Sequence, residues 1–98
     1  MAETSVTETN QRRTQARILD VRENVEVASG MIPGALHIPM SEIATRVDEL
    51  EPSTPLIVVC RSGNRSAHVA DALTAAGFTA DTMTGGMLAW TKAGLPTT

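Results

Sequence analysis

The chain has 98 residues, enough for one domain, and its apolar share of 42% includes only Phe78 and Trp90 as aromatics, so its core must rest on Val, Ile, Leu, Met and Ala. A net charge of −3, with no basic run beyond Arg12-Arg13, argues against a nucleic-acid partner. A single cysteine excludes an internal disulfide, and with no apolar leader and no long apolar span the expectation is a cytosolic, cytoplasmic protein with no membrane partner.

Residues 1–15 are rich in Thr, Glu, Gln and Arg, with Val6 the one sizeable apolar residue after Met1, and read as a polar, solvated N-terminal arm, to which docking can add a short strand or helical turn. The ordered domain is expected over 16–98. Ala16 to Val21 reads as a strand whose Ile18, Leu19 and Val21 can fill both faces of a buried sheet. Glu23 to Ala28 fits one or two helical turns stopped by Gly30. Ala35 to Ile38, held between Pro33-Gly34 and Pro39, has room only for a brief strand. Ser41 reads as the N-cap of a helix that brings Ile43, Val47 and Leu50 to one side before Pro52 ends it.

Leu56 to Val59 is a continuous run dominated by β-branched residues and carries the strongest strand signal. It runs straight into Cys60-Arg61-Ser62-Gly63-Asn64-Arg65-Ser66. A helix is expected from Arg65 to Ala76, with Val69 and Leu73 one turn apart and Gly77 as the stop. Thr79 to Met83 reads as a weaker strand, and Gly85-Gly86 opens a last helix through Trp90, closed near Gly94 and Pro96. Strand and helix alternate with short connections and no internal repeat. That order predicts an α/β fold: a parallel sheet of four to five strands, with right-handed crossovers and helices on both faces.

Ligands in such sheets bind beyond the carboxyl ends of the strands, where Cys60 and Asp20-Val21-Arg22 both fall. Ser, Gly and Asn tolerate the tight backbone that aims several N–H groups at one point, and the following helix turns its positive end to the same place. A thiol set there ionises readily and becomes a nucleophile. Arg61 and Arg65 are the candidate anion-binding side chains, Arg65 turned inward because it closes the loop. Ser62, Gly63 and Asn64 are candidates for binding the anion, Ser62 and Gly63 through their backbone, with helix capping the competing role for Asn64 and for Ser66, a supporting residue. Asp20 and Arg22 are expected to brace the site structurally. The competing reading of Cys60 is a buried structural thiol, which the polar turn after it disfavours. His37 and His68 read as a hydrogen-bonded strand residue and a solvated or packed helix residue. The methionines read as core filler and Trp90 as a packing anchor. One Cys and two scattered His give no metal site, and no cofactor is implied.

Four blocks in register give the chain a clear likeness. Ile18-Leu-Asp-Val-Arg22, Gly30-Met-Ile-Pro-Gly-Ala35 with His37-Ile-Pro39, Val58 to Ser66, and Gly85-Gly86 with Trp90 together resemble the single-domain rhodaneses of the rhodanese-like superfamily over about residues 16–95. Met31 stands where the family usually has His, and Val27 where an aromatic is common. The strand that often precedes the Asp-x-Arg block is not evident in the polar arm. The resemblance implies a thiosulfate sulfurtransferase. Cys60 would take the outer sulfur of thiosulfate or a similar anionic donor, hold it as a persulfide, and pass it to cyanide, a thiol or a protein acceptor. A non-catalytic or partner-dependent sulfur carrier is the alternative. A cysteine phosphatase or arsenate reductase is a weaker one, because those loops put more than the four residues found here between cysteine and arginine.

Overall fold

The buried run that ends on the cysteine is the centre of the molecule. In the computed structural model, which describes residues 2–98, β4 (Leu56–Val59) is covered on both faces and lies in the middle of a parallel sheet. The other strands are β1 (Glu3–Thr4), β2 (Arg17–Asp20), β3 (Leu36–His37) and β5 (Ala80–Met83), in spatial order β1-β5-β4-β2-β3. All four pairings are parallel, with Leu19 opposite Val58 and Val58 opposite Thr82 across the three central strands. The helices are α1 (Val6–Arg12), α2 (Asn24–Val27), α3 (Ile43–Arg46), α4 (Asn64–Ala75) and α5 (Gly86–Lys92).

The strand period of two sorts β4 between two cores. Leu56, Val58 and Cys60 pack with Leu19, Val69 and Leu73 under α3 and α4. Ile57 and Val59 pack with Ile18, Met83 and Trp90 under α1 and α5. Helices therefore cover both faces, as the alternating order predicted. Trp90 is fully buried and its indole N–H donates to the Pro96 carbonyl at 2.9 Å, anchoring the C-terminal tail.

The N-terminal segment is docked rather than solvated, and has both the short strand and the helical turn that docking can add. Glu3 and Thr4 form the edge strand β1 beside β5, and the backbone N–H of Thr82 donates to Ala2 and that of Thr84 to Thr4, both at 2.9 Å. Ser5 then starts α1 with a reciprocal capping box: its hydroxyl accepts from the Glu8 N–H at 3.1 Å, and Glu8 accepts from the Ser5 N–H. Val6 packs against the Trp90 core and Arg12 pairs with Asp81 at 3.1 Å, so docking onto β5 and α5 orders a segment too polar to order itself. Ser41 is not a helix cap either. It lies inside a 3₁₀ turn, Met40–Glu42, that leads into α3, and a second such turn, Val47–Glu49, follows. The expected helix is thus split into three short pieces, which still bring Ile43, Val47 and Leu50 to the core.

The loop after β4 is held from the side by the start of α5. The N–H of Met87 donates to the Cys60 carbonyl at 2.8 Å and that of Leu88 to the Arg61 carbonyl at 3.0 Å. This approach is possible only because residue 86 lacks a side chain. Gly86 has φ +59°, and a Cβ there would lie 2.5 Å from the Arg61 carbonyl oxygen and 2.6 Å from that of Cys60. Gly86→Ala is expected to destabilise the fold by about 2–3 kcal/mol through this backbone clash, read as a lower denaturant midpoint at unchanged m-value. A variant as stable as the parent would show that the loop has slack to move aside.

Candidate active site

Cys60 lies at the carboxyl end of β4, facing the α3–α4 core by the same alternation that buries Leu56 and Val58, and it is 0% exposed. Arg61, Ser62 and Gly63 then turn the chain sharply, with Gly63 in the left-handed region at φ +108° as the residue before α4. That turn folds the backbone round the sulfur. The Gly63 N–H donates to Sγ at 3.1 Å and the Ser66 N–H at 3.4 Å. Ser66 Oγ lies 3.4 Å from Sγ and is itself fully buried. Burial pushes the thiol pKa up. The Ser66 hydroxyl and the amides of Ser66, Gly63 and Ser62 more than offset this, and the net direction is down, toward thiolate.

The two arginines of the loop have different fates. Arg65 makes a two-pronged pair with Glu26 of α2, Nη1 to Oε1 at 2.7 Å and Nη2 to Oε2 at 2.8 Å. It draws the Glu26 carboxyl below its ordinary 4.5 to about 2, against burial and with help from the Glu23 N–H. Arg61 is exposed and, among the described residues, has no acidic partner. With Arg22, Glu26, Met87 and Leu88 it lines a depression beside the loop. Arg61 is thus the loop cation available to a ligand without breaking an existing pair.

Asp20 and Arg22 form a buried pair at the end of β2, Nη2 to Oδ2 at 2.8 Å, with further bonds from Nε and the backbone N–H of Arg22. Arg22 also donates to the Gly30 carbonyl at 2.8 Å and the Glu26 carbonyl at 3.4 Å. The pair therefore braces α2 and its exit turn, and is linked to the cysteine loop through Glu26 and Arg65. His37 Nε2 is 2.7 Å from the Arg22 carbonyl, so it is a hydrogen-bonded strand residue. His68 is exposed on α4. Asn64 is the first residue of α4 and is exposed, while Gly63 takes the cap position with no side-chain cap.

Three contributors escaped the sequence reading: Glu26 as partner of Arg65, Gly86 as the close-approach residue, and Thr82, whose buried hydroxyl is 2.7 Å from Ser66 Oγ. Glu26 fell inside the short helix expected over Glu23 to Ala28, and Gly86 inside the Gly85-Gly86 pair, but neither contact partner is near them in the sequence.

Comparison with known proteins agrees with this fold. The rhodanese-like domain profile matches residues 5–93. The Bacillus subtilis protein YtwF is 44% identical over 73 residues, covering 74% of this chain and 71% of its own. A sulfurtransferase from Allochromatium vinosum is 38% identical over 80 residues, covering 81% and 75%. Among solved structures, a rhodanese-related protein from Thermoplasma volcanium superimposes with a TM-score of 0.97 at 28% identity, covering 100% of this chain and 98% of that one. With one family profile spanning nearly its whole length and a fold shared throughout, this chain belongs to the rhodanese-like sulfurtransferase family.

Proposed function

We propose that the protein is a sulfurtransferase that moves a sulfane sulfur from thiosulfate, or a similar anionic donor, to cyanide or a thiol by way of a persulfide on Cys60. The observation that carries this reading is the convergence of backbone amides and the Ser66 hydroxyl on one buried sulfur, which favours its anionic form. The Cys60 thiolate attacks the outer sulfur of thiosulfate. A bond forms between Sγ and that sulfur, the bond to the sulfonate sulfur breaks, and its electron pair leaves with sulfite. The acceptor then attacks the outer sulfur of the persulfide, and the electron pair of the broken S–S bond returns to Sγ. Sulfite is a good leaving group, so no general acid is needed.

Arg61 supplies charge to the donor at the mouth of the loop. Arg65, held by Glu26, keeps the start of α4 in place, and the positive end of that helix faces the sulfur. Ser62, Gly63 and Ser66 act on the sulfur, Asn64 begins the helix behind them, and Asp20 and Arg22 support α2. Thiol, cyanide and protein acceptors all meet the same persulfide.

The test is intact mass after incubation of the reduced protein with thiosulfate, followed by cyanide and a thiocyanate assay. One added sulfur that cyanide discharges is expected. Cys60→Ala is expected to abolish both steps while keeping the fold, and undiminished transfer in that variant ends the proposal. Arg61→Ala is expected to raise KM for thiosulfate about tenfold, the scale of one charged hydrogen bond, with kcat less affected. An unchanged KM would remove Arg61 from donor binding.

The Glu26–Arg65 pair also sets a pH dependence. The Glu26 carboxyl is lower in the folded chain than in the unfolded one, so the pair's contribution is complete above the unfolded value and is lost as pH falls from about 5 toward 2. Arg65 is one-third exposed, so screening leaves that contribution at about 1 kcal/mol. Glu26→Gln is expected to be less stable than the parent by this amount at pH 7, with the gap closing in acid. A constant gap between pH 7 and pH 3 would assign the loss to packing.

A further inference from the structure

The hydroxyl chain behind Cys60 has a proton count with a consequence. Ser66 Oγ has three neighbours: Cys60 Sγ at 3.4 Å, the Gly63 carbonyl at 3.1 Å and Thr82 Oγ1 at 2.7 Å. It owns one proton to share among them. The Gly63 carbonyl already accepts the Ala67 N–H at 3.2 Å, so it does not depend on Ser66. Thr82 sits on β5, opposite Val58 in the register, and is 3% exposed. Among the described residues, Ser66 is the one hydrogen-bond partner of its hydroxyl. If Thr82 only accepted from Ser66, its own proton would be buried without an acceptor, at the full desolvation cost of that group. If Thr82 donates, its proton is satisfied and the proton of Ser66 is free.

We propose that Thr82 is a positioning residue for Cys60: its hydroxyl donates to Ser66 Oγ, which leaves the Ser66 proton free to face the sulfur when the thiol ionises. In the thiol, S–H donates to Ser66 Oγ and Ser66 donates to the Gly63 carbonyl. In the thiolate, Ser66 turns its proton to Sγ while the Thr82 bond is kept. One hydroxyl rotation on Ser66 switches the site, and no heavy atom has to move. The net downward direction of the thiol pKa, to which the Ser66 hydroxyl contributes, agrees with this arrangement. Neighbouring hydrogen bonds also polarise one another, so a donor behind Ser66 strengthens its bond to sulfur.

The inference rests on Cys60 being the reacting sulfur, but its test does not require sulfur transfer. The chain has one cysteine and no tyrosine, so the ultraviolet thiolate band of the whole protein titrates Cys60 alone once a Cys60→Ala baseline is subtracted. Thr82→Val is expected to raise the midpoint by about half to one pH unit, the scale of one hydrogen bond, and Thr82→Ser to restore it. Thr82→Ala stands in if the valine variant does not fold. In a Ser66→Ala background, which is expected to raise the midpoint by itself, the Thr82 change is expected to add nothing. An unchanged midpoint in Thr82→Val overturns the proposal. So does a serine variant that behaves like valine, or a Thr82 effect that survives loss of Ser66. Failure of the donor assay with a normal titration would count against the sulfurtransferase reading and leave the Thr82 relay standing.

Discussion

In the proposed sulfur transfer, a buried sulfur that has to carry negative charge is the constraint on which the rest of this structure turns. Cys60 continues the inward alternation of Leu56 and Val58, so the fold places its side chain in the apolar layer under α4. An anion there is expensive unless several dipoles converge on it. No arginine is drawn into contact with the sulfur, since Arg65 is committed to Glu26 and Arg61 lies at the surface. The charge is met instead by short-range backbone and hydroxyl donors whose positions are set by the chain path. That is why the turn needs Gly63 at positive φ, and why α4 must begin where it does.

Donors fixed by chain path are only as good as the path, and two supports hold it. On one side, Gly86 lets α5 come close enough for its first amides to bond the Cys60 and Arg61 carbonyls, pinning the loop by its outer edge. On the other, a relay of pairs runs from the end of β2 through Asp20, Arg22 and α2 to Glu26 and Arg65. The parallel sheet makes both possible, because it brings the carboxyl ends of β2, β4 and β5 to one edge. A buried pair such as Asp20–Arg22 is weak evidence of net stability. Its value here is geometric, since it fixes a four-residue helix that could not hold its place by its own hydrogen bonds.

The parts legible in the sequence were those governed by local period or local turn chemistry. β4, the cysteine turn, α4 and the Gly77 stop follow from an unbroken apolar run, a polar cluster and helical spacing. The capping box at Ser5 and Glu8 was also written locally, but in a segment with one apolar residue the helical turn that docking can add depends on a partner surface to receive Val6 and Thr9. Ser41 failed as a cap for the opposite reason: a suitable residue was present, yet the chain takes a 3₁₀ turn after Pro39 and leaves the hydroxyl inside it. Arg65 looked inward by its place in the loop, whereas its orientation depends on Glu26, 39 residues earlier in the chain. Thr82 was illegible because its importance comes from parallel register. Nothing near residue 82 in the sequence says that it lies behind Ser66.

The length of the loop connects these observations to chemistry. Only four residues separate Cys60 from Arg65, and the amides of Gly63 and Ser66 point at Sγ itself, at 3.1 and 3.4 Å. A wider loop would set its amides around a point beyond the sulfur, where the oxygens of a bound phosphoryl group could sit. A narrow one spends its donors on charge carried by the nucleophile. The proposed persulfide cycle needs that arrangement at two stages, since its attacking thiolate and the thiolate released when the acceptor takes the outer sulfur are the same anion in the same place. Stabilising it too strongly would blunt its attack, because nucleophilicity falls with basicity. Burial raises the thiol pKa while the amides and Ser66 lower it, and the net direction is down, toward thiolate.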